Sequence, residues 1–209
     1  MFEAKISEAA RNAIELLKNN LPPKSYLAGG TALALQIGYR QSYDLDLYTL
    51  SDFNEETLQK EVLKVSKDIL VKSSAWKSVF FTYMDTEISI FYYPYEMLSD
   101  FVDYHKFNLA SIKDICAMKI QAISGLGLKR DFFDVYSICQ YLKISVYEAV
   151  LLNQNKYKTD ATNLPHIVNS LDYFTDAETA YDRANISDKD WQLVRAFFKK
   201  ENRGLINKF

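Results

Sequence analysis

A chain of 209 residues with net charge −2, 48% hydrophobic and 25% charged, is long enough to bury roughly 70% of its surface in one domain or two closely packed ones. Its aromatic share of 14% excludes a disordered chain, and its near-neutral charge lacks the global basic signature of a nucleic-acid binder. No apolar run approaches the ~18 residues that cross a bilayer, and residues 1–8 have no apolar core suited to a signal peptide, so a cytoplasmic protein with no membrane partner is expected.

Residues 3–20 carry Ile6, Ala9, Ala10, Ala13, Ile14 and Leu17 at the spacing of an amphipathic helix, which Pro22 and Pro23 stop. Residues 25–28 read as a short strand leading into Gly29-Gly30-Thr31. An almost wholly apolar, buried helix follows over 31–37, with Gly38 placed to cap it. Arg40-Gln41-Ser42 form a turn before a strand over 44–48 that carries Asp44 and Asp46. Asn54 and its neighbours offer helix caps, and a helix is expected from there to about Val71. Two strands follow, near 76–84 and 87–93, with a turn at Asp85-Thr86 and Pro94 ending the second. After about Phe107 only helical patterns remain: from Ser111 as cap to about Ser124, a break at Gly125-Leu126-Gly127, then about 130–142, 145–154, 164–174 and 187–200. The order predicts a small mixed α/β sheet with flanking helices over 1–108, then an all-helical domain over 109–209.

Cys116 and Cys139 have no metal-ligand spacing and read as buried free thiols. His105 and His166 are isolated and read as surface or core residues, and the Tyr- and Phe-rich strands over 80–95 as core. Lys199, Lys200, Arg203 and Lys208 make the C-terminal end basic; a solvated helix end is the plainer reading, contact with an RNA acceptor the sharper one.

Gly29 and Gly30 lack a Cβ and let backbone N–H groups approach a ligand. The free N–H groups and positive dipole end of the following helix face the same turn. Asp44 and Asp46 lie two apart on a strand, so both side chains leave one face. The intervening helix is too short to travel far, so the acids should stand near the glycine turn. An anion cradle beside paired carboxylates suits a metal-bound nucleoside triphosphate, with Mg²⁺ taking a few protein oxygens plus phosphates and water. Lys119 lies on the apolar stripe of Ile112, Ile115, Cys116, Ala122 and Ile123. It either snorkels to the surface or is held inside by an anion. Asp131 and Asp134 share a helical face just after Lys129-Arg130.

Gly29-Gly30-Thr31-Ala32-Leu33-Ala34-Leu35, then Arg40-Gln41-Ser42-Tyr43-Asp44-Leu45-Asp46, resembles the nucleotidyltransferase superfamily. It is most similar to the AbiEii/AbiGii-type toxins of bacterial toxin–antitoxin and phage-defence systems. The resemblance extends to Tyr93-Pro94-Tyr95, Ala117-Met118-Lys119 and the stretch Lys129-Arg130-Asp131-Phe132-Phe133-Asp134-Val135-Tyr136. It covers most of residues 1–142. It implies a nucleotidyltransferase-like fold whose helical domain completes the active-site cleft, and transfer of a nucleotide from a triphosphate to an acceptor hydroxyl on tRNA, other RNA or protein. By this resemblance Asp44 and Asp46 hold Mg²⁺ (or Mn²⁺), and Gly29, Gly30, Thr31, Arg40, Ser42 and Lys119 bind the nucleotide. Asp131 or Asp134 pairs Lys119 or acts as general base, and a cognate antitoxin restrains the protein. One departure stands out: Ser89 falls where such enzymes commonly place a third carboxylate, with Glu87 two residues earlier on the same strand face. That departure opens an alternative, a relative that binds nucleotide or a partner without transfer.

Overall fold

The computed structural model describes all residues except 159–162 and 182. The described chain divides into two compact units: Met1–Glu96 with Asp100–Ala110, and Met97–Ser99 with Ser111–Phe209.

The first unit is a mixed sheet with helices packed on it. After a short 3₁₀ turn (Glu3–Lys5), Ser7 caps α1 (Glu8–Leu17) by accepting the Ala10 N–H at 3.0 Å. The apolar stripe of α1, Ala9, Ala10, Ala13, Ile14 and Leu17, is buried as its spacing requires. There follow β1 (Ser25–Leu27), α2 (Gly29–Ile37), β2 (Leu45–Thr49), α3 (Glu55–Leu63), β3 (Ile69–Ala75), β4 (Ser78–Tyr83), β5 (Thr86–Tyr92), β6 (Val102–Tyr104) and β7 (Phe107–Leu109). Across the sheet the strand order is β3-β4-β5-β2-β1-β7-β6. The central strands combine both senses: β1 runs antiparallel to β2 and parallel to β7, while β2 is parallel to β5. Leu27, Leu45, Leu47, Ile88, Ile90, Val79 and Phe81 form its apolar interior with α2 residues Leu33 and Leu35.

Four local expectations change. The helix expected from Thr31 starts at Gly29, because Gly29 takes φ +64° and turns the chain from β1 straight into α2. The helix expected to reach Val71 stops at Leu63, and β3 follows. β3 is an edge strand, mostly exposed, with a register shift between Val71 and Ser73, so it lacks the alternation that marks a half-buried strand. The β4–β5 turn lies one residue earlier than expected, with Met84 at φ +53° and Thr86 already paired to Tyr83. The helices begin as expected after Ser111, but an unforeseen hairpin precedes them: β6 and β7, whose turn residues, His105 and Lys106, both have positive φ. Neither is a usual residue for such a turn, so the hairpin carried no sequence signal.

The second unit is helical, as expected. Ser111 caps α4 (Ile112–Leu126), which runs through Gly125 and ends at Gly127. α5 (Lys129–Leu142), α6 (Val146–Tyr157), α7 (Leu164–Ser170), α8 (Thr175–Thr179) and α9 (Asp188–Glu201) follow. α4 packs against α5, α6 and α7, and α9 packs against α5 and α6. Phe132, Phe174, Trp191 and Phe198 meet in an aromatic core with mostly edge-to-face rings. Cys116 and Cys139 are free and buried here. Among the described residues, no helix is long and apolar enough to cross a membrane.

Candidate functional site

Antiparallel pairing places Leu27 opposite Leu47, and the Ala28 N–H donates to the Asp46 carbonyl at 3.0 Å. The start of α2 and the middle of β2 are therefore held side by side. In α2 the first internal bond is from the Ala32 N–H to the Ala28 carbonyl, at 3.3 Å. The N–H groups of Gly29, Gly30 and Thr31 thus have no acceptor within the helix, and Ala28 offers no capping side chain.

Polar side chains stand close against both glycines. A Cβ on Gly29 would lie 2.5 Å from Asp46 Oδ2, and one on Gly30 would run into the Arg40 guanidinium, with Ser42 Oγ 3.3 Å away. The glycine turn, Arg40, Ser42 and Asp46 are thereby gathered within one small region of the first unit. The Thr31 hydroxyl, itself buried, donates to the Asp44 carbonyl and shares a hydrogen bond with the Ser42 hydroxyl, 2.9 Å away. Its proton ties α2 to the chain leading into β2. Arg40 donates from Nη1 to the Gln41 carbonyl at 2.9 Å and its guanidinium stacks on Tyr39. Asp44 and Asp46 are half-buried, between the fully buried Ser42, Leu45 and Leu47.

β2 and β5 are in register so that Asp46 is the partner of Ser89. A serine thus stands beside Asp46 on the adjacent strand. Glu87 is exposed and bonds Lys72 Nζ at 2.7 Å, which places its carboxylate on β3 instead of reaching toward Asp46. On β4 Phe81 and Tyr83 are buried, while the half-buried Phe91 of β5 and Tyr93 just after it contact Tyr48, which stacks on Tyr26.

Lys119, Asp131 and Asp134 come together within the second unit. Lys119 Nζ lies 2.7 Å from Asp131 Oδ1 and 2.8 Å from Asp134 Oδ2, with side-chain exposures of 11%, 8% and 0% respectively. The lysine on the apolar stripe of α4 does not snorkel; two carboxylates from α5 hold it. Asp131 also accepts the Leu128 N–H at 3.1 Å through Oδ2, so the same acid caps α5. A second buried pair, unmarked in the sequence, joins Lys156 to Asp114 at 2.8 Å with both side chains fully buried. Asp114 further accepts from Ser111 Oγ (2.7 Å) and the Leu98 and Ser99 N–H groups (2.9 and 3.3 Å). His105 bonds Glu3 and His166 bonds the Ser124 carbonyl.

Among the described residues, no group of three or more His, Cys, Asp or Glu is gathered to hold a metal on protein ligands alone. The Asp44–Asp46 pair fits a hard cation that draws its remaining ligands from phosphate and water.

No protein-family model matches the sequence. The uncharacterized protein aq_aa25 of Aquifex aeolicus is 30% identical over 203 residues, which span 94% of this chain and 96% of that one. The crystal structure of JHP933 from Helicobacter pylori is similar with a TM-score of 0.56 and 19% identity, covering 97% of this chain and 96% of that one. A second H. pylori crystal structure, of a candidate nucleotidyltransferase, gives a TM-score of 0.53 and 16% identity over 97% and 99% of the two chains. The fold is that of the nucleotidyltransferases.

Proposed function

The chain belongs to the family of the Aquifex aeolicus protein aq_aa25, and we propose that it is a nucleotidyltransferase acting on a nucleoside triphosphate. The observation that carries this reading is the packing of the Asp46 carboxylate and the Arg40 guanidinium against Gly29 and Gly30 at the start of α2. Phosphate-binding N–H groups, a cation and a metal-type carboxylate then belong to one site.

In this reading the N–H groups of residues 29–31 and the Arg40 guanidinium hold triphosphate oxygens, and Ser42 adds a hydrogen-bonding hydroxyl. Thr31 acts mainly by fixing Ser42 and the backbone at Asp44. Asp44 and Asp46 would hold Mg²⁺ or Mn²⁺, which when bound neutralises charge building on the leaving pyrophosphate. The acceptor hydroxyl oxygen forms a bond to the α-phosphorus, the bond to the pyrophosphate oxygen breaks, and the hydroxyl proton passes to a base. Lys119, Asp131 and Asp134 form the second group of candidate residues, with the lysine Nζ lying against both carboxylates. The motif resemblance favours tRNA, another RNA or a protein as acceptor, and a toxin of the AbiEii/AbiGii type restrained by a cognate antitoxin, in toxin–antitoxin or phage-defence systems.

The test is transfer from α-labelled nucleoside triphosphates to RNA and protein acceptors, with and without Mg²⁺. Asp44→Ala and Asp46→Ala should each abolish it, and undiminished transfer in both variants would overturn the metal assignment.

The register of Ser89 with Asp46 favours a second reading, in which nucleotide binds without transfer. Calorimetric binding of triphosphate and Mg²⁺ with no labelled product on any acceptor would select it. Gain of transfer in Ser89→Asp would then assign the defect to the third carboxylate.

A further inference from the structure

Residues 38–44, which carry Arg40 and Ser42, form an irregular stretch between α2 and β2. Residues 2–6 lie along it and hold it at several points. The Ser42 N–H donates to the Lys5 carbonyl at 3.0 Å, and Ile6 and Ser42 form a parallel bridge. Gln41 Nε2 donates to the Ala4 carbonyl at 3.1 Å. The Phe2 N–H donates to the Leu35 carbonyl at 2.8 Å, in the last turn of α2. The Phe2 ring lies so close to Gly38 that a Cβ there would fall 2.7 Å from ring carbons, at a residue whose φ of +69° already calls for glycine. Arg11 fastens the segment from the other side, donating from Nη1 to the carbonyls of Glu3 (2.8 Å) and Ile6 (3.1 Å).

Ser42 is the joint of this arrangement. Its backbone is bonded to the segment, and its Oγ is bonded to Thr31 at the start of α2, 2.9 Å away. A shift of residues 2–6 would therefore move Ser42 directly and Arg40 through its neighbour Gln41. Such shifts matter because phosphate contacts depend on placement to within a fraction of an ångström.

We propose that residues 2–6 are a positioning strap that sets Arg40 and Ser42 for the triphosphate without themselves touching it. The proposal rests on the reading of residues 29–46 as the nucleotide site. It makes Phe2 and Gln41 determinants of nucleotide affinity, and neither belongs to the glycine, arginine or aspartate set.

The experiment uses the full chain and the double variant Phe2→Ala/Gln41→Met, with Phe2→Leu as the conservative rescue. Phe2 is half exposed and Gln41 is exposed, so the fold should persist, as circular dichroism and the thermal midpoint would verify. Two quantities are read: amide hydrogen exchange over residues 38–44, and calorimetric affinity for each of the four ribonucleoside triphosphates with Mg²⁺. The strap predicts faster exchange in this stretch and about tenfold weaker binding of the preferred triphosphate, with Phe2→Leu close to the parent. Faster exchange with unchanged affinity would overturn the strap and leave the site reading intact. Unchanged exchange would overturn it too. If the parent chain binds none of the four triphosphates while exchange responds as described, the site reading fails and the strap's proposed purpose falls with it.

Discussion

The Asp46 carboxylate occupies the space that a side chain on Gly29 would need, with Oδ2 2.5 Å from the ideal Cβ position. Antiparallel pairing of β1 with β2 creates this closeness, since Leu27 and Leu47 are partners, Asp46 precedes Leu47, and the Ala28 N–H, one residue before Gly29, donates to the Asp46 carbonyl. Gly29→Ala should therefore act twice. The φ of +64° costs a β-carbon-bearing residue about 1–2 kcal/mol, and the methyl displaces Asp46. A lowered urea midpoint together with loss of Mg²⁺-dependent triphosphate binding is expected. An alanine variant that binds as the parent does would show that the contact has no bearing on the ligand.

Removing the Lys119 ammonium takes from the buried Asp131 and Asp134 the cation they share, and breaking such a pair costs about 3–5 kcal/mol. Lys119→Met should lower the unfolding free energy by an amount of that order in urea titration. Asp131→Asn should cost less, because Asp134 still pairs the lysine at 2.8 Å. Near-parental stability of Lys119→Met would contradict this.

Asp114 and Lys156 provide the stricter case, both fully buried. Asp114→Ala takes the 2.8 Å carboxylate away from the buried Lys156 and strips acceptors from Ser111 and from the Leu98 and Ser99 N–H groups. A loss of about 3–5 kcal/mol is expected. Asp114→Leu combined with Lys156→Met removes both charges, so it should recover part of that loss. Recovery stays incomplete because the two backbone N–H groups remain without the carboxylate. A double variant less stable than Asp114→Ala alone would contradict this.

Stability should be flat near neutrality and fall at both extremes. Glu3 is held below the ordinary glutamate value of 4.5 by its hydrogen bond with His105, Glu55 by the Lys77 N–H, and Glu148 by the Ser145 N–H. Asp52 is held below 3.8 by Lys77. Carboxyls lowered in the folded state add stability above their unfolded values, and that stability is lost as pH falls through the folded ones. On the alkaline side, burial pushes the Cys139 thiol from 9.0 up to about 12, and the bond with Asp52 raises Lys77 above 10.5. Groups raised in the folded state lose their contribution as pH climbs from the unfolded to the folded value. Urea midpoints should thus decline below about pH 4.5 and above about pH 9. The two cysteines should resist a thiol reagent at pH 8 until the chain unfolds. Rapid labelling of the native protein would contradict the burial of Cys116 and Cys139.

Several parts of this protein were written locally. Ser111 and Asp114 marked the start of α4, Ser187 marked that of α9, and the apolar run after Thr31 announced a buried helix with Gly38 as its stop. Each depends on contacts within a few residues, where capping and periodicity are decided. The spacing of Gly29-Gly30 from Asp44 and Asp46 also pointed to closeness, since seven residues of predicted helix between two strands leave little room to separate.

Tertiary pairing decided the rest. β3 is a strand because β4 lies beside it, and its exposed side chains carry no alternation. The β6–β7 hairpin turns on His105 and Lys106, residues that ordinarily avoid positive φ. The partner of Lys119 was undecided along α4 alone; α5 brings Asp131 and Asp134 to it. The ties between residues 2–6 and Gly38, Gln41 and Ser42 likewise join segments more than thirty positions apart. Sequence by itself determined the helix boundaries set by caps and the chemistry gathered in residues 29–46. Only the folded chain decided which carboxylate meets which glycine or lysine, because those contacts follow from strand register and helix packing, and neither is encoded by neighbouring residues.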